Sequence, residues 1–431
     1  MTNNSKRVVI IGLDGMPYRL MKDLAESGVM RHTKAIIDEG LFQSMQSSIP
    51  EISSVSWASI ITGTAPGYHG IYGFTDVHPG TYRMCFPNYN DLKMPPFWQH
   101  DGIGRSVIIN VPFTFPAYRL DGVLISGFVA LDLERATYPL SLIPKLKEMD
   151  YQIDVDSSRG HQSMDLFLAD LDKTLQARIA AYRYLWDKED WQTFMLVFTG
   201  TDRLGHFLWD AYEDKAHKYH AAFLDHLRQI DEVIGEIRGR MGDDEPMILI
   251  SDHGMELSEA DVQVNFLLKE QGFLKFKNNP PRSLADIDPG TRAFALDPGR
   301  IYISEKGKYP EGRVNPEDRA ILIDELKSCF ESLSVDGHKA VECIYLKEEI
   351  YEGPHFDNAP DMVLMTRKGI NFKAGLRATE LYGKGVFTGK HTQPDAFFLT
   401  SYPSADILPD EICVSDIVSI MGKVREAQGK R

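Results

Sequence analysis

The stretch V-V-I-I-G-L-D-G, residues 8–15, decides the fold. Its β-branched side chains favour extended backbone, and its apolar residues run on without alternation. Such a strand is buried on both faces, as in a parallel sheet covered by helices, and Asp-Gly closes it with a turn. Working outward, we read a strand over 7–13 and a helix over 18–26 that stops at Gly28. Further strands are expected over 44–49, 106–110, 122–126, 193–198 and 247–250, with helices over 57–62, 164–186 and 217–241. This alternation predicts an α/β fold, a mainly parallel sheet with helices on both faces.

Residues 278–298 are rich in Pro, Asn, Asp and Gly and read as an irregular crossing. Beyond them a strand over 300–304, a helix over 317–333 and a strand over 341–346 form a compact unit. The expected organisation is a core from 1–277, a small inserted α+β subdomain over 278–355, and the rest of the core over 356–431. The chain is expected to return to the core through 361–365 and 396–400.

With 431 residues, 43% hydrophobic and 25% charged, the composition is that of an ordinary globular protein. A net charge of −15 argues against stable nucleic-acid binding, because phosphate backbones are held by basic surfaces. It leaves small phosphorylated substrates open, since bound cations reverse a local field. The four cysteines are far apart and form no C-x-x-C pair, so reduced cysteines and a cytoplasmic location are expected. No run approaches 18 uncharged apolar residues, so no membrane insertion is expected. The sequence does not disclose an oligomeric state.

Metal-ligand residue types recur at strand ends. Asp14 follows the first strand; Asp202 and His206 lie in T-G-T-D-R-L-G-H, Asp252 and His253 in L-I-S-D-H-G, and His391 in T-G-K-H-T. Asp14, Asp202 and Asp252 each follow a strand's carboxyl end, the edge where open α/β sheets gather ligands. Asp202 and His206, four apart, share one side of a helical turn. A serine cluster, residues 53–56, precedes the helix over 57–62, whose N-terminus offers N–H donors to an anion. Three aspartates, three histidines and a hydroxyl suit two divalent cations sharing a phosphate and a nucleophile. Taken singly, each aspartate after a strand is an ordinary cap or turn former, and the serines are ordinary caps. His69, in P-G-Y-H-G, reads as structural.

The ordered set resembles the alkaline phosphatase superfamily, in its type I phosphodiesterase/nucleotide pyrophosphatase branch. The resemblance rests on G-L-D-G, on S-S-V-S-W-A-S-I-I-T-G-T-A-P-G-Y-H-G-I, and on D-R-L-G-H, S-D-H-G and G-K-H. N-V-P-F-T-F-P and N-F-L-L-K-E-Q-G-F-L extend it over nearly the whole chain. It implies two divalent ions, zinc or alternatively manganese. One would be held by Asp14, Asp252 and His253 with the nucleophile completing its shell, the other by Asp202, His206 and His391. The S-I-I-T-G register places the nucleophile at Ser53, with Ser54 and Ser56 as alternatives. Relatives carry a proline where this chain has Val55, and the pyrophosphatases an asparagine where it has Ser56.

The implied activity is hydrolysis of a phosphodiester or pyrophosphate through a phosphoserine intermediate. The alternatives are a phosphomonoesterase or phosphomutase on the same site, or a catalytically silent binding protein. S-S-V-S-W lacks the proline and arginine of the sulfatase motif. His391 lies far beyond His253, unlike the spacing in the related mutases. G-x-S-x-G and G-x-G-x-x-G are both absent where a serine hydrolase or a dehydrogenase would need them. Arg203, beside a ligand, is expected to point into solvent or to pack structurally.

Overall fold

The computed structural model describes residues 7–130, 132–403 and 405–427. Within them the chain forms two compact units. Among the described residues the first comprises 7–64, 88–255 and 391–427, and the second 65–87 and 256–390.

Among the described residues, nine strands form the sheet of the first unit. Its centre is Met247–Ile250, Val8–Leu13, Thr193–Phe198, Ser106–Val111 and Gly122–Ser126, all parallel. Val8–Leu13 is buried at every position, as the unbroken apolar run requires. Alternation along it sends Val8 and Ile10 to one face, where they pack with Met195, Val197, Ile248 and Ile250. Trp57, Ile60 and Ile61 of the helix Ser53–Thr62 cover that face, with Ile417, Ile420, Met421 and Val424 of the helix Ile417–Ala427. Each such side chain contributes about 1.5–3 kcal/mol by leaving water.

The edges depart from parallel order. Ala396–Thr400 runs antiparallel to both Met247–Ile250 and Leu41–Gln46, and Thr137–Tyr138 runs antiparallel to Gly122–Ser126. The sheet is therefore mainly parallel, as its central strands predict, with antiparallel margins.

The second unit is an α+β assembly. Ala293–Leu296, Arg300–Ile303, Met362–Thr366 and Val341–Leu346 make an antiparallel sheet in that order. The helix Arg319–Glu331 packs on it through Leu322, Ile323, Leu326 and Phe330. This unit spans more than the 278–355 expected from sequence. Residues 361–365, expected to rejoin the core, instead pair with Arg300–Ile303 and Val341–Leu346. An apolar run signals burial in a sheet but not which sheet. Among the described residues no helix is long and apolar enough to cross a membrane.

Candidate active site

Three adjacent strands deliver three aspartates to one edge. Val8–Leu13 lies between Met247–Ile250 and Thr193–Phe198, with Gly12 opposite Ile250 and Leu13 opposite Phe198. Asp14 follows directly, Asp252 comes two residues past its strand, and Asp202 sits in the first turn of the helix Gly200–Glu213. Neighbouring strands are about 4.8 Å apart, so groups leaving their ends at similar heights must crowd.

The turn after the first strand is locked by its neighbours. Gly15 adopts φ +66°, a left-handed conformation open to glycine, and its N–H donates to Asp252 Oδ1 at 3.0 Å. Thr201 Oγ1 donates to the Asp14 carbonyl at 2.5 Å and to the Phe198 carbonyl at 2.9 Å. Trp57 Nε1 donates to Asp14 Oδ1 at 3.1 Å. A Cβ on Gly12 would lie 2.5 Å from the Trp57 ring, so glycine there lets the indole approach.

Among the described residues, two groups of donors are placed to hold a cation: Asp14, Asp252 and His253, and Asp202, His206 and His391. Within each group the donor atoms all lie within 4.8 Å of one another. His253 Nδ1 faces the Gly254 carbonyl at 2.9 Å, and His391 Nδ1 faces the Glu51 carbonyl at 2.9 Å. A carbonyl only accepts, so in both rings Nδ1 carries the proton and Nε2 presents a lone pair. A backbone carbonyl fixing the far nitrogen in this way is the usual support of a metal-bound imidazole.

The Nε2 nitrogens of the second group converge on one carboxylate oxygen. His391 Nε2 lies 2.9 Å from His206 Nε2, and both nitrogens lie 3.3 Å from Asp202 Oδ1. That oxygen is buried without a hydrogen-bond partner, as is Asp252 Oδ2. Buried orphaned acceptors facing imidazole lone pairs are costly unless something positive lies among them. Burial, then the charges of Asp252 and Asp202, push the Asp14 carboxyl well above its ordinary range. Burial also raises Asp252, while it and neighbouring His253 hold His391 down at about 3. For Asp202 burial is outweighed by His206, His391 and Arg203, which hold it low. The donor sets therefore fit two divalent cations: an oxygen-rich group and an imidazole-rich group, each suited to zinc or manganese.

The serine cluster separates by environment. Ser53, first residue of its helix, places Oγ 3.0 Å from His253 Nε2. Ser56 Oγ is engaged with Ser47 Oγ at 2.9 Å and Ser48 Oγ at 2.8 Å. Ser54 Oγ is buried without a partner. The helix begins four residues earlier than the expected 57–62, with Ile52, in extended backbone, at its N-cap.

Sequence reasoning missed the surroundings of Asp202. Of its two expected placements, Arg203 takes the packed one: its side chain is only 14% exposed and pairs with Asp202 Oδ2 at 3.0 Å and with Oδ2 of Asp154, an unforeseen partner, at 2.8 Å. No motif surrounds Asp154, and only an Asp-Arg pair adjacent in a ligand motif hinted at a paired guanidinium. His69 is fully buried and accepts from the Ile71 N–H through Nδ1 at 3.2 Å, the structural place expected of it.

Known proteins share this arrangement of strands. The phosphonoacetate hydrolase of Sinorhizobium meliloti 1021 superposes with a TM-score of 0.66 at 17% identity, covering 98% of this chain and 96% of that one. Murine ectonucleotide pyrophosphatase/phosphodiesterase 5 gives 0.57 at 13% identity, covering 98% and 95%. Its human counterpart gives 0.53 at 11%, with the same coverage. These likenesses establish the alkaline phosphatase-like fold. No curated protein matches the sequence. The family model for type I phosphodiesterase/nucleotide pyrophosphatase matches residues 8–392, a span holding all seven candidate residues. The chain belongs to the type I phosphodiesterase/nucleotide pyrophosphatase family.

Proposed function

We propose that this protein hydrolyses a phosphodiester or pyrophosphate bond, using two divalent cations and Ser53 as nucleophile. The observation that carries this reading is the pair of three-residue donor groups beside a serine hydroxyl at a buried helix start. Asp14, Asp252 and His253 would hold one cation, and Asp202, His206 and His391 the other. When bound, these ions would lower the pKa of the hydroxyl and neutralise charge on the phosphoryl group.

The protein's own groups account for the rest. Ser53 Oγ attacks phosphorus, its proton leaves to solvent, and the P–O bond to the leaving group breaks. Water then attacks the phosphoseryl ester, releasing the phosphoryl product and restoring the hydroxyl. The Ile52 carbonyl accepts from the Val55 and Ser56 N–H groups, so in the first turn of Ser53–Thr62 the Ser53 and Ser54 N–H groups are those that suit phosphoryl oxygens. Ser53 is itself buried at 4% exposure, so its hydroxyl is held among packed side chains.

The substrate is a small phosphorylated molecule. Solved neighbours include phosphonoacetate hydrolase with phosphonoacetate and an inactive murine ectonucleotide pyrophosphatase/phosphodiesterase 5 with AMP. A panel of nucleotide, sugar and lipid diesters, matched monoesters and phosphonoacetate, run with defined zinc or manganese, tests the preference. Ser53→Ala should lower kcat by at least about 10⁴-fold, as removing a covalent nucleophile does. It should still bind two ions; wild-type turnover in that variant would remove Ser53 from the mechanism.

A further inference from the structure

The second donor group is backed by a partly buried ion pair that the reaction scheme does not use. Arg203 follows Asp202 in the helix Gly200–Glu213, yet its guanidinium turns inward. Its Nη1 donates to Asp202 Oδ2 at 3.0 Å, while Nε and Nη2 donate to Asp154 Oδ2 at 3.1 and 2.8 Å. The Phe128 ring lies against its face, 4.1 Å from the guanidinium carbon. Asp154 is only 15% exposed, and Thr199 Oγ1 reaches its other oxygen at 3.4 Å. Thr199 is in turn touched by Asn110 Nδ2 at 3.3 Å and by buried Arg178 at 3.4 Å.

The two oxygens of Asp202 are thereby made unequal. Oδ2 is consumed by Arg203, while Oδ1 faces the nitrogens of His206 and His391 with no hydrogen bond of its own. A planar guanidinium forked between two carboxylates holds both in one orientation, which a flexible ammonium does not do.

We propose that Arg203, anchored by Asp154, is a positioning residue that presents Asp202 to the second cation through Oδ1 alone. This assignment rests on the two-cation reading above. The Arg203–Asp154 pair is electrically neutral as a unit, so it orients Asp202 without adding net charge. Its removal should therefore act through geometry and at one site.

The test is titration of metal-free protein with Mn²⁺, followed calorimetrically, with unfolding measured alongside. Arg203→Met alone would leave the Asp154 carboxylate unpaired, so the decisive variant is the charge-neutral double change Arg203→Met with Asp154→Asn. It should weaken one of the two sites by about 10–100-fold, the usual cost of losing an outer partner of a ligand, and leave the other within about threefold. Arg203→Lys keeps the charge but not the fork and should fall between the two. Equal weakening at both sites would mark the pair as merely structural and overturn the proposal. So would two wild-type affinities in the double variant. Failure of the wild-type protein to bind Mn²⁺ or Zn²⁺ would instead bring down the two-cation reading, and this assignment with it.

Discussion

The two donor groups are built on opposite principles. Asp14, Asp252 and His253 are 2%, 0% and 0% exposed, and each is fixed by rigid parts of the molecule: the Trp57 indole, the Gly15 N–H and the Gly254 carbonyl. Asp202 is equally buried, but the side chains of His206 and His391 are 19% and 18% exposed. The first group pairs two carboxylates with one imidazole and has no arginine or lysine paired with it among the ion pairs of the described residues. The second pairs one carboxylate with two imidazoles and carries Arg203 on the carboxylate's far oxygen. On the two-cation reading proposed above, the first would be an acidic well stabilised by its cation, and the second a softer group open to exchange.

The largest effect should come from breaking the well. Asp252→Asn keeps an acceptor for the Gly15 N–H but removes one of the two charges of the first group. It should empty that site and lower turnover by more than about 10³-fold, since metal stabilisation of phosphoryl oxygens is worth several kcal/mol. In metal-free protein the same change should raise the melting temperature, because burial and then the Asp252 charge push the Asp14 carboxyl up, and the change removes that charge. A lower melting temperature, measured calorimetrically after chelation, would contradict the acidic-well description.

A smaller effect separates the groups by access. His391→Ala should cost the second site more than about 10–100-fold in affinity, because a ligand is worth more than an outer partner. Added imidazole should restore part of the turnover through the exposed mouth of that group. His253→Ala, which opens a hole with no exposed surface, should not be rescued. Equal rescue of both variants would erase the distinction.

The site was legible in sequence to the extent that it depends on strand ends. Asp14 and Asp252 lie one and two residues past apolar runs, and parallel strands bring such ends to one edge whatever the intervening chain does. Asp154 was not legible, because it pairs with Arg203 across 49 residues from a stretch without regular structure. The extra extent of the second unit escaped for a similar reason. Met362–Thr366 has the apolar character of a core strand, and only its partners, Arg300–Ile303 and Val341–Leu346, place it elsewhere. The S-I-I-T-G register singles out Ser53 but leaves Ser54 and Ser56 open, and only the hydroxyl contacts distinguish the three environments.

The finest test of the comparison concerns one hydrogen bond. Trp57 Nε1 donates to Asp14 Oδ1, and the indole is fully buried against Gly12. Trp57→Phe keeps an aromatic ring but removes the donor, so Asp14 loses the contact that aims its carboxylate. First-site affinity should fall about tenfold, the low end for an outer partner, with the second site unchanged. The smaller ring also leaves a void, costing folding stability on the order of 1 kcal/mol or more. If affinity falls alike at both sites, the void has loosened the whole edge, and the indole does not support the first group alone. If only the first site weakens, the rigidity of that group is traced to a single donor on the helix that also carries Ser53.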